Sequence, residues 1–174
     1  MVEKKGSNIK NSFYLKDLEK SMKYFLVMFL ITISAGIFTG LCYIYYTTNI
    51  AADSISERYS GSDVEEHEIP DNFPKSLDNM IQVTHEHINS FAIISLVLGL
   101  IFYFNSIVSG KLKLFFMLEP FFSTIVTFLS LWLIRYLNDS FAYLVIISSG
   151  LMYICWFIMI GISMYELLCN KKSN

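Results

Sequence analysis

The chain is poor in the residues that most often carry chemistry. It has only three histidines, His67, His85 and His87. Its three cysteines, Cys42, Cys155 and Cys169, form no C-x-x-C pair, and none falls between the first two apolar runs. That excludes a cysteine metal knuckle and leaves no basis for a disulfide framework. There is no glycine-rich phosphate loop and no H-E-x-x-H, since "HEH" at 85–87 lacks the zinc-motif spacing. The net charge of −2 gives no electrostatic footprint for a nucleic acid. No internal repeat and no nucleophile–base constellation is visible, so enzymatic activity stays open with the balance against it.

Charge is also missing from the interiors of four long stretches, at about 24–46, 89–109, 114–136 and 141–165, where Glu119 is the exception. Apolar runs of roughly 20 residues span the bilayer hydrocarbon. Inside lipid every backbone amide must bond within its own segment, so these runs are helices. The fold class is therefore all-α: an integral-membrane, four-helix, up-down-up-down bundle. The first run is too long for a cleaved signal peptide and lacks a small-x-small site after it, so it reads as an uncleaved anchor.

The charges that are present set an orientation. Lys4, Lys5, Lys10, Lys16, Lys20 and Lys23 precede the first run, Lys111 and Lys113 follow the second, and Lys171 and Lys172 end the chain. Between 47 and 87 there are nine acids against Arg58 and Lys75. The excess of lysine places both termini in the cytoplasm and the long first loop outside. The expected organisation is a basic interfacial segment over 1–23 and a transmembrane domain over 24–168, followed by a tail over 169–174. Its helices run over about 24–46, 76–109, 114–136 and 141–168, with an acidic extracytoplasmic loop at 47–75. "NSFYLKDLEKSMK" reads as a short basic helix on the lipid headgroups. Gly36 and Gly40 form a G-x-x-x-G spacing suited to close packing within the bundle.

Ser76 is the expected N-cap of the second helix, which places "VTHEHINSF" at its outer lip. Residues two apart differ by about 200° around a helix, so His85 and His87 point to nearly opposite sides. His85 shares a stripe with Ile81 and Ile88 and is expected to face the bundle, with His87 nearer Met80, Val83 and Phe91. One metal held by both would need an extended backbone. A bis-histidine haem needs imidazoles from different segments, and only His67 is left to supply the second. The candidate cofactor-binding residues are therefore His85, His87 and His67. For a transition metal they are His85, His87 and Glu86, because zinc accepts imidazole and carboxylate. Hydrogen-bonded interfacial histidines with a structural or pH-responsive role are the alternative.

Two further charges stand out. Arg135 ends "LWLIRY" on the histidine side, either snorkelling to headgroups or paired with Glu86 or an anionic ligand. Glu119 precedes Pro120 in "FFMLEPFF". A helix starting there would place Pro120 in its first turn and Glu119 near its cap, with Lys111 or Lys113 in reach; a proton-relay carboxylate is the rival. Asn105 reads as an interhelical hydrogen-bonder.

Thr84, His85 and His87, then "LVLGLIFYF", "EPFFSTIV", "LWLIRY" and "SSGLMY", with "ERYSG" in the outer loop, resemble small uncharacterised bacterial inner-membrane proteins with four helices and a T-H-x-H motif opening the second. The resemblance spans about 24–168. A looser similarity is to haem-copper oxidase and nitric oxide reductase helices, where histidines two apart face different centres. This chain lacks the further histidines those centres need, so their activity is not transferred. The resemblance implies a multi-pass protein of the bacterial cytoplasmic (inner) membrane. The expected function is binding of a transition metal or haem at the outer face, in an accessory respiratory or metal-handling role. The alternative is a non-catalytic subunit or scaffold of a larger membrane complex. Expected partners are the lipid bilayer and other membrane subunits or further copies of the chain, with no nucleic acid.

Overall fold

In the computed structural model the described residues are 13–62 and 69–169. They form α1 (Lys20–Thr48), α2 (Ala52–Ser60), α3 (Leu77–Tyr103), α4 (Gly110–Tyr136) and α5 (Phe141–Cys169). No strand occurs among them. All but α2 are long and apolar enough to cross a membrane, so the chain is a multi-pass, all-helical integral membrane protein.

The best-packed body is α3, α4 and α5. Along α3 the stripe Met80, Thr84, His87, Phe91, Ser95, Leu98 and Phe102 repeats every three or four residues, the spacing of one helix face. Small hydroxylated residues let α4 and α5 approach closely and bond across the gap. Thr127 and Ser148 share a hydrogen bond of 2.7 Å, and Thr124 donates to Met152 Sδ at 3.3 Å. Trp156 on α5 donates to Ser95 of α3 at 3.1 Å. Helix α1 is attached more loosely, burying only Val27, Leu30, Ile37 and Thr48. A Cβ on Gly36 would meet nothing, and one on Gly40 only the Tyr153 hydroxyl at 3.9 Å. Among the described residues the G-x-x-x-G spacing thus brings no other backbone close, contrary to its reading as a packing motif; it leaves open space beside α1.

The ends of the helices are built from side chains. Thr48 Oγ1 accepts the Ile50 amide at 3.2 Å, where α1 stops and Asn49 and Ile50 take left-handed backbone (φ 48° and 56°). The acidic stretch expected as loop holds α2, which buries Ile55 and Ser56. It ends at Gly61 with φ 95°, where a Cβ would sit 2.8 Å from the Pro74 ring, so only glycine fits. Ser76 caps α3, accepting the Asn79 amide at 3.3 Å.

At the other end four expectations change. Helix α3 stops at Tyr103, not near 109, because buried Asn105 turns the chain: its Oδ1 accepts the Ile107 and Val108 amides at 3.0 and 2.7 Å. Asn105 therefore organises a turn and does not bridge two helices. Helix α4 runs straight through Pro120 from Gly110, so Glu119 is within the span and not at a cap. Ending a helix there would leave amides unbonded in hydrocarbon, a larger penalty than the one bond proline removes. The described part of the basic leader forms a single 3₁₀ turn, Leu15–Asp17, whose Leu15 plugs into the bundle and whose amide bonds Phe104 O at 2.9 Å.

Candidate functional site

A cleft of about 620 Å³ lies between α1 and the α3–α5 body. That is within the roughly 300–1,000 Å³ of small-molecule sites. Its deep wall is apolar, including Ile37, Phe91, Phe128, Met152 and Trp156. Toward the α2 end it gains polar groups: Tyr43 from α1, Arg58 and Tyr59 from α2, Lys75 before α3, and His87 on α3. No carboxylate lines it among the described residues. Arg58 Nη2 donates to the Tyr43 hydroxyl at 3.0 Å, and its guanidinium lies 5.8 Å from that ring. Burial pushes the Tyr59 phenol above its ordinary range; the Arg58 charge opposes this and Tyr43 adds to it.

The two histidines of "THEH" part company here: His87 lies by Val83 and Phe91 as expected, while His85 does not face the bundle. His85 and His87 are both exposed, but His85, like Ile81, lies away from the packed stripe, within a loose 3.4 Å of Asn89 Nδ2. His87 is the one on the stripe, with its ring 5.7 and 5.9 Å from those of Phe91 and Phe128. Its Nδ1 lies 2.9 Å from the Val83 carbonyl. A carbonyl can only accept, so Nδ1 carries the proton and Nε2 keeps the free lone pair. Thr84, the other residue of the motif, accepts from Trp132 Nε1 of α4 at 2.9 Å.

The other named residues are scattered. Glu86 accepts from Gln82 at 3.0 Å. Arg135 does not pair with it: Arg135 Nε donates to the Lys75 carbonyl at 2.7 Å and the guanidinium lies 4.9 Å from the Tyr136 ring centroid. Arg135 thereby fastens the lead into α3 to the end of α4. His67 lies outside the described residues. No group of three histidine, cysteine or acidic side chains converges on a metal position among the described residues.

Two carboxylates are buried toward the opposite end. Glu119 is 7 % exposed; Ser123 Oγ donates to its Oε1, while its Oε2 has no hydrogen-bond partner. Glu166 of α5 is fully enclosed and accepts the Ser106 amide at 2.7 Å and the Lys16 amide at 3.4 Å. Lys113 does not reach Glu119; its Nζ donates to the Tyr103 and Asn105 carbonyls at 2.9 and 2.7 Å. Sequence reasoning missed Glu166, although an acid one residue beyond an apolar run was a visible signal. Arg58 and Tyr59 were missed as site residues because α2 was read as loop.

No curated protein and no solved structure matches the chain. A family model described as a transmembrane helical domain matches residues 49–174, which takes in α2 to α5 and most of the chain. The match begins immediately after α1 and includes Arg58, Tyr59, Lys75 and His87 of the cleft mouth, but not Tyr43. The chain belongs to this transmembrane helical domain family.

Proposed function

We propose that this is an accessory, non-catalytic protein of the bacterial inner membrane that holds an anionic amphiphile in the cleft between α1 and α3–α5. In this reading the spans run up-down-up-down with both termini in the cytoplasm. Support comes from the side-chain and backbone bonds: Lys16 meets Glu166, and Leu15 meets Phe104, which gathers the start of α1, the α3–α4 turn and the end of α5. That end carries Lys16, Lys20, Lys23, Lys111 and Lys113, as the positive-inside bias requires.

The observation that carries the proposal is the cleft's polarity. Its body is apolar, while its mouth offers two cations, two phenols and an imidazole, with no acid in the lining among the described residues. An acyl or similar apolar chain fits the body and an acidic head fits Arg58 and Lys75. Native mass spectrometry of the chain released from membranes tests this, with wild type beside the Arg58→Ala, Lys75→Ala pair. At about 1 kcal/mol per basic side chain, the double variant should hold anionic lipid about thirtyfold less tightly. Equal retention by both proteins, or no preference for anionic over zwitterionic lipid, overturns the reading.

A haem or transition metal at the same face is a second reading, supported by one observation. Metal-ligating histidines commonly give their other ring N–H to a backbone carbonyl, and His87 does so to Val83. A haem's carboxylates would suit the same two cations. Further ligands would come from His67 or another chain. A Soret band or bound metal lost in His87→Ala but kept in His85→Ala supports it; neither signal in wild type removes it.

A further inference from the structure

We propose that Glu119 is a proton-binding site inside the bilayer, a neutral acid set behind a lipid-facing pocket between α4 and α5. The pocket measures about 750 Å³ and is rimmed by apolar side chains such as Phe122 and Ile147, each about two-thirds exposed. Glu119 lies nine residues inside α4, about 13 Å along the axis at 1.5 Å per residue. Among the described residues the Ser123 hydroxyl donates to Oε1, Oε2 has no hydrogen-bond partner, and the Cys155 thiol, a weak donor, lies beside the carboxyl. A carboxylate enclosed in hydrocarbon with only a hydroxyl and a weak thiol donor, both neutral, has little compensation for its lost hydration. With a proton bound, one oxygen stays on Ser123, and the other is a neutral oxygen, which an apolar surrounding tolerates far better than charge.

Among the described residues no charged group is bonded to it. From α5 the Cys155 thiol faces Glu119. Lys111, at the start of α4, is the one cation in the pocket lining. Between His87 and Tyr103, α3 has no titratable residue. Lys113 is committed to the Tyr103 and Asn105 carbonyls. An ionisable group at this depth without a structural partner marks a functional position, and the ligand its surroundings suit is a proton. Lys111 marks the pocket's route to water on the α4-start side.

Dicyclohexylcarbodiimide, which partitions into lipid and modifies protonated carboxyls, tests this on the full chain in membranes at neutral pH. Peptide mapping should find the adduct on Glu119 and none on Glu166, with labelling kept in Glu119→Asp and lost in Glu119→Gln. Infrared difference spectra provide a readout that does not depend on reagent access. Wild type should show a neutral-carboxyl C=O band, shifted by deuterium exchange and missing in Glu119→Gln. Where the two readouts differ, the band decides. No such band in wild type, or one that survives Glu119→Gln unchanged, overturns the proposal.

Discussion

Glu119 and Glu166 are the same side chain, both buried, on neighbouring helices, yet the fold treats them in opposite ways. Glu166 sits three residues before the end of α5, where two backbone amides, from Ser106 and Lys16, aim at its two oxygens. The Lys113 charge is also within electrostatic reach of it. Glu119 sits within a continuous helix, where all amides are taken by the helix ladder and only a hydroxyl and a weak thiol donor stand beside it. Donor supply decides the difference. A turn has spare amides, so a carboxylate beside it becomes a fastener; a membrane span has none, so a carboxylate within it is left unmatched.

The largest break in this comparison should come from Glu166→Ala. It leaves two half-buried amides without their carboxyl acceptor, a loss of about 3 kcal/mol. Thermal unfolding in detergent should show it, along with earlier proteolysis near Leu15, whose turn loses one of its two anchors. Unchanged unfolding would mean that water replaces the carboxylate and that Glu166 fastens nothing.

Asn105→Ala should cost less, about 2 kcal/mol, for the Ile107 and Val108 amides it leaves unpaired. It works on the same turn through neutral bonds, so it calibrates how much of the Glu166 effect depends on charge. A loss as large as that of Glu166→Ala would show that the turn's shape matters and the carboxylate's charge does not.

The contrast also explains what could be read from the residues alone. Four apolar runs and their flanking lysines were enough for the membrane class, because hydrocarbon leaves the backbone so few options. Breaks inside the polar stretches were harder. The turn at Asn105 comes from one side chain bonding two amides, which no hydrophobic pattern encodes. Pro120 looked like a helix start, but in lipid the helix continues through it. His85 was placed on the bundle face from Ile81 and Ile88, using only the outer turns of α3. Extending the stripe through Ser95, Leu98 and Phe102 selects Met80, Thr84, His87 and Phe91 instead, so the longer register was the missing signal. Helix α2 was hidden by its acidic surroundings, and with it the part of the cleft mouth that Arg58 and Tyr59 supply.

The smallest expected effect completes the comparison. If Glu119 is a neutral acid, Glu119→Gln exchanges one neutral hydrogen-bonding group for another of nearly the same shape. Its carbonyl oxygen can still accept from Ser123, so stability should change by less than about 1 kcal/mol. Glu166→Gln makes the same chemical change where charge is in use: it weakens both amide bonds and points an NH₂ at a backbone N–H, so it should unfold measurably earlier. Thermal unfolding of these two glutamine variants side by side removes differences of side-chain size that an alanine pair would carry. A Glu119→Gln loss equal to that of Glu166→Gln would show that both carboxyls are charged in the folded protein. The difference between them would then lie in an unseen donor to Glu119 Oε2, not in its proton.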